Sequence, residues 1–316
     1  MRATLLTISL ASALYGAAQD DLLSLLGEDS ITVEYTSASF KATRVINGLS
    51  IENTAHGVMD FRISHRFGYV SAGRSEFWGL DQAYIRLGLD YGVTDRLMVG
   101  IGRSSYQKTV DGFFKYKILR QCDQGCTMPI TLSFAAGMSV TTLASEKLPW
   151  FEPGRTDYFT HRMGYFFQAV AGRKFSEKLT LQLMPGLVHR NLVKTTEEKN
   201  DVVNIGAAGR IKITKRMAIN AEYFYVLPNQ LAEPVTSTDP TYHNSFSMGL
   251  DIETGGHVFQ LHLTNSFPMF ERGFITETTG DWLDGDISMG FNISRVFTVH
   301  EPKSKAAKVN GKSGSW

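Results

Sequence analysis

Long apolar runs are what this 316-residue chain lacks first: after the N-terminus, no stretch reaches the roughly 18 apolar residues that a membrane-crossing helix needs. That excludes a spanning helix but leaves spanning by strands open. Charge of one sign is lacking too. Lys and Arg number 32 against 31 Asp and Glu, a formal +1, so no overall field draws the chain to nucleic acid. Proline is scarce, 9 residues against 29 glycines, which suits long strands joined by many turns. The only two cysteines, Cys122 and Cys126, flank Asp-Gln-Gly. Their turn offers too few ligands for a metal, while an oxidising compartment permits a small disulfide loop there or leaves two free thiols. The histidines show no ligand spacing, and Gly100 to Gly102 lacks the following helix that a phosphate loop requires. No metal and no cofactor is expected.

What is present begins with Met1 to Ala18, which has the order of a secretory signal: Arg2, the apolar run Leu5 to Tyr15, then Gly16, Ala17 and Ala18. Export across one membrane is expected. The organising unit then appears at Ser245 to Asn265, SFSMGLDI-ETGG-HVFQLHLTN. Side chains on a strand alternate between faces, so Phe246, Met248, Leu250 and Ile252 make one greasy side opposite a polar one, and Phe259, Leu261 and Leu263 repeat the pattern after a glycine turn. This is a β-hairpin.

The same unit recurs from Gly57 to Phe297, over 57–67, 82–92, 96–104, 108–120, 130–142, 158–174, 179–191, 202–213 and 217–227, then the opening hairpin and 286–297. The fold expected is all-β: an antiparallel transmembrane β-barrel of about twelve strands, with fourteen as the alternative. A soluble sandwich would put polar residues outside, whereas here Tyr91, Tyr116, Tyr165, Tyr223 and Tyr225 lie on the greasy face, as membrane girdles do. Short connections alternate with long ones, which in outer-membrane barrels mark the periplasmic and outer sides. Ser39 to Ile46 alternates poorly, so residues 19–56 are expected to form a periplasmic extension or a plug, 57–297 the barrel and 298–316 a basic tail.

The segments GVMDFRISHRFG, LDQAYIRLGLDYGVTDRLMVGIGRSSY, FSEKLTLQLMPGLVHRNLV, DIETGGHVFQLHLTNS and GFITETTGDWLDGDISMGFNISRVF resemble the Bacteroidota barrel family catalogued as domain of unknown function 5777. The resemblance runs from about Phe40 to Phe297. It implies an outer-membrane β-barrel in a Gram-negative cell, in contact with outer-membrane lipids, and it implies no activity.

The polar parity collects Arg62, Arg66, Arg86, Lys115, Lys117, Arg162, Lys174, Arg190, Arg210 and Lys212 in the lumen, against Asp60, Asp90, Glu222 and Asp251. A ring of excess positive charge in a water-filled pore favours anions, so the leading expectation is a narrow passive channel for small, anionic solutes. The alternative is a plugged structural or docking barrel that binds a periplasmic or surface protein partner, since a barrel this size is readily filled by its own side chains. The longest outer loop carries Phe267, Phe270, Phe274, Ile275 and Trp282, expected either to bind a partner or to fold inward as a constriction. His262, Thr264 and Asn265 superficially resemble the catalytic set of outer-membrane phospholipases, but the parity points His262 and Thr264 into the lumen, away from lipid. No enzyme is expected.

Overall fold

The computed structural model describes residues 33–234 and 240–300. The expected signal sequence, the leucine segment of residues 20–28 and the lysine tail lie outside the described residues. Twelve strands close a barrel: β2 (Val58–Tyr69), β3 (Ala83–Gly92), β4 (Leu97–Ser104), β5 (Thr109–Leu119), β7 (Thr131–Thr141), β8 (Met163–Lys174), β9 (Leu179–Arg190), β10 (Asp201–Lys212), β11 (Met217–Val226), β12 (Ser245–Thr254), β13 (His257–Thr264) and β14 (Ser288–Thr298). Each pairs antiparallel with the next, and β14 closes on β2 with Ile293 opposite Ile63. Closure leaves no free edge, which is the condition for strands to cross a bilayer that offers the backbone no hydrogen bonds.

Burial follows the alternation. Leu87, Ile101, Leu183 and Leu261 point out and are 46%, 56%, 57% and 55% exposed, whereas Arg66 and Lys115 point in and are fully buried. This arrangement, greasy outside and charged inside, is the inverse of a soluble barrel and suits a lipid surround.

The ends differ as the loop lengths suggest. Tight turns join β3 to β4, β8 to β9, β10 to β11 and β12 to β13, and the long connections lie at the opposite end. Two connections break the rule. Between β4 and β5, at the long-loop end, Tyr106–Lys108 makes a tight 3-10 turn with Gln107 and Lys108 both at positive φ. Between β5 and β7, at the tight-turn end, the strand β6 (Cys122–Gln124) sits in a turn closed by a Cys122–Cys126 disulfide and pairs with β1 (Glu34–Tyr35).

One expected strand boundary is corrected, and the two segments without regular alternation take definite form. Residues 158–162 do not extend β8: Phe159–Arg162 is a 3-10 turn, because the alternation begins only at Met163. Residues 39–46 form no strand; they run inside the barrel, with a single bridge between Arg44 and Leu49. The loop after β13 holds a helix, α1 (Glu271–Thr276), whose six residues are all buried.

Candidate functional site: a lumen filled from both ends

Tyr35 and Thr36 enter at the tight-turn end. Thr36 donates its N–H to the Gln121 carbonyl at 2.9 Å and its hydroxyl to Asp123 at 2.6 Å, while the Arg120 guanidinium lies 3.8 Å from the Tyr35 ring centroid. The chain then dips inward and doubles back, Val45 N–H to Gly48 O at 2.8 Å and Ser50 N–H to Thr43 O at 2.9 Å. It leaves at the same end, where Gly57 N–H meets the Gly92 carbonyl. Residues 36–56 are therefore a hairpin-like plug.

Wall residues grip it. The Glu222 carboxylate accepts N–H groups from Ile46, Asn47 and Gly48 at 3.2, 2.7 and 3.1 Å. Gln182 accepts from Ile51 N–H and donates to Leu49 O; Lys115 donates to Ser50 O and Glu52 O at 2.7 and 2.5 Å. A Cβ at Gly48 would lie 2.6 Å from the Phe224 ring, so only glycine lets the tip approach this wall. Below the tip, Phe40, Val45, Leu49 and Ile51 pack with Met98, Phe113, Phe166 and Met184 in one apolar cluster. The parity reading treats the inner face as a charged surface and misses this cluster, although Met98, Phe113 and Met184 stand on the inward parity in plain view.

From the other end α1 folds down. Glu271 accepts from Arg44 at 2.7 Å, both side chains almost wholly buried, and Phe274 packs 4.8 Å from Phe224. Segments inserted from opposite ends thus meet inside the barrel. Of the loop aromatics, Phe270 and Phe274 are fully buried, Phe267 stacks on Tyr69 at 4.0 Å, and Trp282 donates its ring N–H to the Phe246 carbonyl at 3.1 Å. Phe270 and Phe274 are thus spent inside the barrel, while Phe267 and Trp282 stay partly exposed.

The expected ring of excess positive charge needs correction. Arg86 is paired with Asp111 (Nε to Oδ1, 2.9 Å), an acid on the same parity as Lys115 that the sequence reading left out. Arg62 reaches Asp60 at 3.7 Å and Thr43, whose hydroxyl bonds Asp90 at 2.6 Å. Arg66 donates to the side chains of Asn47 and Asn292. Arg190 pairs with Glu198 at 2.6 Å, another acid left out because it lies in a loop. Asp251 accepts from Gln260, and Arg210 reaches the Ser39 carbonyl only at 3.5 Å. Lys117, Lys174 and Lys212 are only half-buried near the tight-turn end, with Lys117 on Glu52 and Lys174 on Glu177. Arg162 is not in the lumen at all. It lies in the 3-10 turn before β8, donating to the Leu143 carbonyl, Ser145 and Asp157.

That outer cluster has a pH signature. Hydrogen bonds from Arg162, then from Ser145, hold the Asp157 carboxyl below the usual carboxylate range. A depressed folded pKa gives stability that is fully present above the unfolded value, about 3.9 for Asp, and lost as pH falls through the folded one. Backbone amides of residues 143–158 are expected to exchange faster below pH about 3.5 than at pH 6, after correction for intrinsic rates, and Asp157→Asn should flatten that difference.

His262 is buried with neither ring nitrogen bonded, and the Thr264 hydroxyl accepts from Ser247 at 2.9 Å. Asn265 is tied to the Asn244 and Gly280 carbonyls. The three residues make no nucleophile and base pair.

Residues 40–297 match the family model described as a membrane bound beta barrel domain (DUF5777). The chain belongs to this family. The match begins inside the plug rather than at β2, so the family's domain takes in the lumen segment together with the strands. No curated protein matches the chain. Among solved structures it is similar to KdgM porin, 8% identical over 77% of this chain and 99% of that one, with a TM-score of 0.42. It is also similar to a triple mutant of a porin from Rhodopseudomonas blastica, 11% identical over 68% of this chain and 55% of that one, with a TM-score of 0.30. The family is membrane-bound; such distant likenesses add nothing about what passes or binds.

Proposed function

We propose that this protein is an outer-membrane barrel of a Gram-negative cell, exported by its signal sequence and closed at rest by its own plug and α1. The observation that carries the reading is the buried Arg44 and Glu271 pair, which joins segments entering from opposite ends. Outer-membrane lipids surround the greasy face. Passage of a solute then requires withdrawal of the plug, for which a periplasmic partner acting at Tyr35 and Thr36, or a surface partner acting on the loop of α1, supplies the free energy. A freely open anion channel fits less well, because most lumenal bases are paired with acids or spend their donors on the plug.

Planar-bilayer recording tests this. The full chain is expected to be silent, and Glu222→Ala combined with Glu271→Ala is expected to produce openings. Steady conductance from the unaltered chain would refute closure.

A further inference from the structure

Around the tip, residues 45–52, the wall holds the plug chiefly by its main chain. Glu222 takes three consecutive N–H groups, Gln182 takes one N–H and gives to one carbonyl, and Lys115 gives to two carbonyls. Gln260 donates to Val45 O at 2.5 Å and Asn292 to Ile46 O at 3.3 Å. The plug has only one internal bridge, so its peptide groups are free of ladders and available to these side chains. Plug side chains are also held, Thr43 by Asp90 and Arg62, Arg44 by Glu271, and Asn47 by Ser247 and Arg66, with Lys41 on Glu253, Glu52 on Lys117 and Asn53 on the Arg96 carbonyl nearer the mouth.

Acceptors that meet main-chain N–H groups and donors that meet main-chain carbonyls, around an aliphatic cluster and a carboxylate at the tip, recognise one chemical class. We propose that the lumen is a polypeptide-binding site, which takes a segment of about ten residues that doubles back with glycine at its turn, held by wall side chains bonded to its main-chain groups. The plug is its resident occupant. A small inorganic anion uses none of the wall's acceptors and meets Glu222 with like charge. The inference rests on the plugged reading above, and deepens it by naming what replaces the plug when it leaves.

The test keeps the full chain through folding. A protease site is inserted at the exposed Ala55, the folded protein is cut, and a fluorescent peptide of residues 33–54 is added in excess. Saturable uptake is expected, reversed by the unlabelled peptide. Offered to a barrel carrying Glu271→Leu, so that no buried charge is left unpaired, a peptide carrying Arg44→Met should bind within about tenfold of the parent on the unaltered barrel, whereas methylation of the Ile46 and Gly48 amide nitrogens should weaken binding by about a hundredfold, as loss of buried charge-assisted bonds requires. If the side-chain variant loses as much as the methylated one, the site reads side chains and is private to its plug. If the cut segment never exchanges over days, the lumen takes no second occupant and the proposal falls. Cutting that yields chloride conductance without peptide uptake also overturns it, in favour of a small-ion pore. Conductance before cutting would instead sink the closure reading, so the two failures are separable.

Discussion

Glu222→Ala is expected to unseat the plug tip while leaving the barrel folded. The carboxylate is 1% exposed and accepts three backbone N–H groups. Each hydrogen bond to a charged group contributes about 1.5–3 kcal/mol, and contributions at one acceptor do not add fully, so a loss of about 3–5 kcal/mol in plug seating is reasonable. At about 1.4 kcal/mol per tenfold, the amides of Ile46, Asn47 and Gly48 should exchange roughly two to three and a half powers of ten faster. Strand amides of β11 should keep their protection. Unchanged exchange at the tip would show that packing of Phe40, Leu49 and Ile51, rather than Glu222, seats the plug. Glu222→Gln is expected to fall between, since its NH2 group turns a donor toward donors.

Asp111→Ala is expected to destabilise the barrel itself. Arg86 lies almost wholly buried, with Nε and Nη2 both on the Asp111 carboxylate, a two-point pairing. Removing one partner of a buried pair leaves an uncompensated charge and costs about 3–5 kcal/mol, whereas replacing both by apolar groups of similar volume is often near neutral. Reversible denaturant unfolding in detergent should show that loss for Asp111→Ala. Most of it should return in the double variant Arg86→Met with Asp111→Leu. A single-variant cost below about 1 kcal/mol would mean that water reaches Arg86, and with it that the lumen is wetter than its burial implies.

These two acids illustrate what local pattern does and does not carry. Asp111 was legible: it stands four residues before Lys115 on the same strand parity, and an inward base at Arg86 two strands away needs a partner. Glu222 was legible as inward-facing, but not as a ligand of the plug. Its partners are 174 to 176 residues away, in a segment whose own alternation is poor. Nothing local distinguishes a carboxylate facing water from one facing three amides. The loop aromatics show the same limit, for Phe270 and Phe274 become buried only because α1 turns inward.

By itself the sequence determined a barrel of about twelve strands, the face that most strand residues take, and which end carries the long loops. The reason is physical: lipid on one side and a polar interior on the other impose a two-residue period that each strand must obey alone, whatever its neighbours do. Only the tertiary structure decided what fills the interior. Whether a lumen holds water or protein depends on two segments without regular pattern, residues 36–56 and the loop of α1, and on contacts such as Arg44 with Glu271, 227 residues apart. Pairings across that separation arise when the barrel closes, and no periodicity records them in advance.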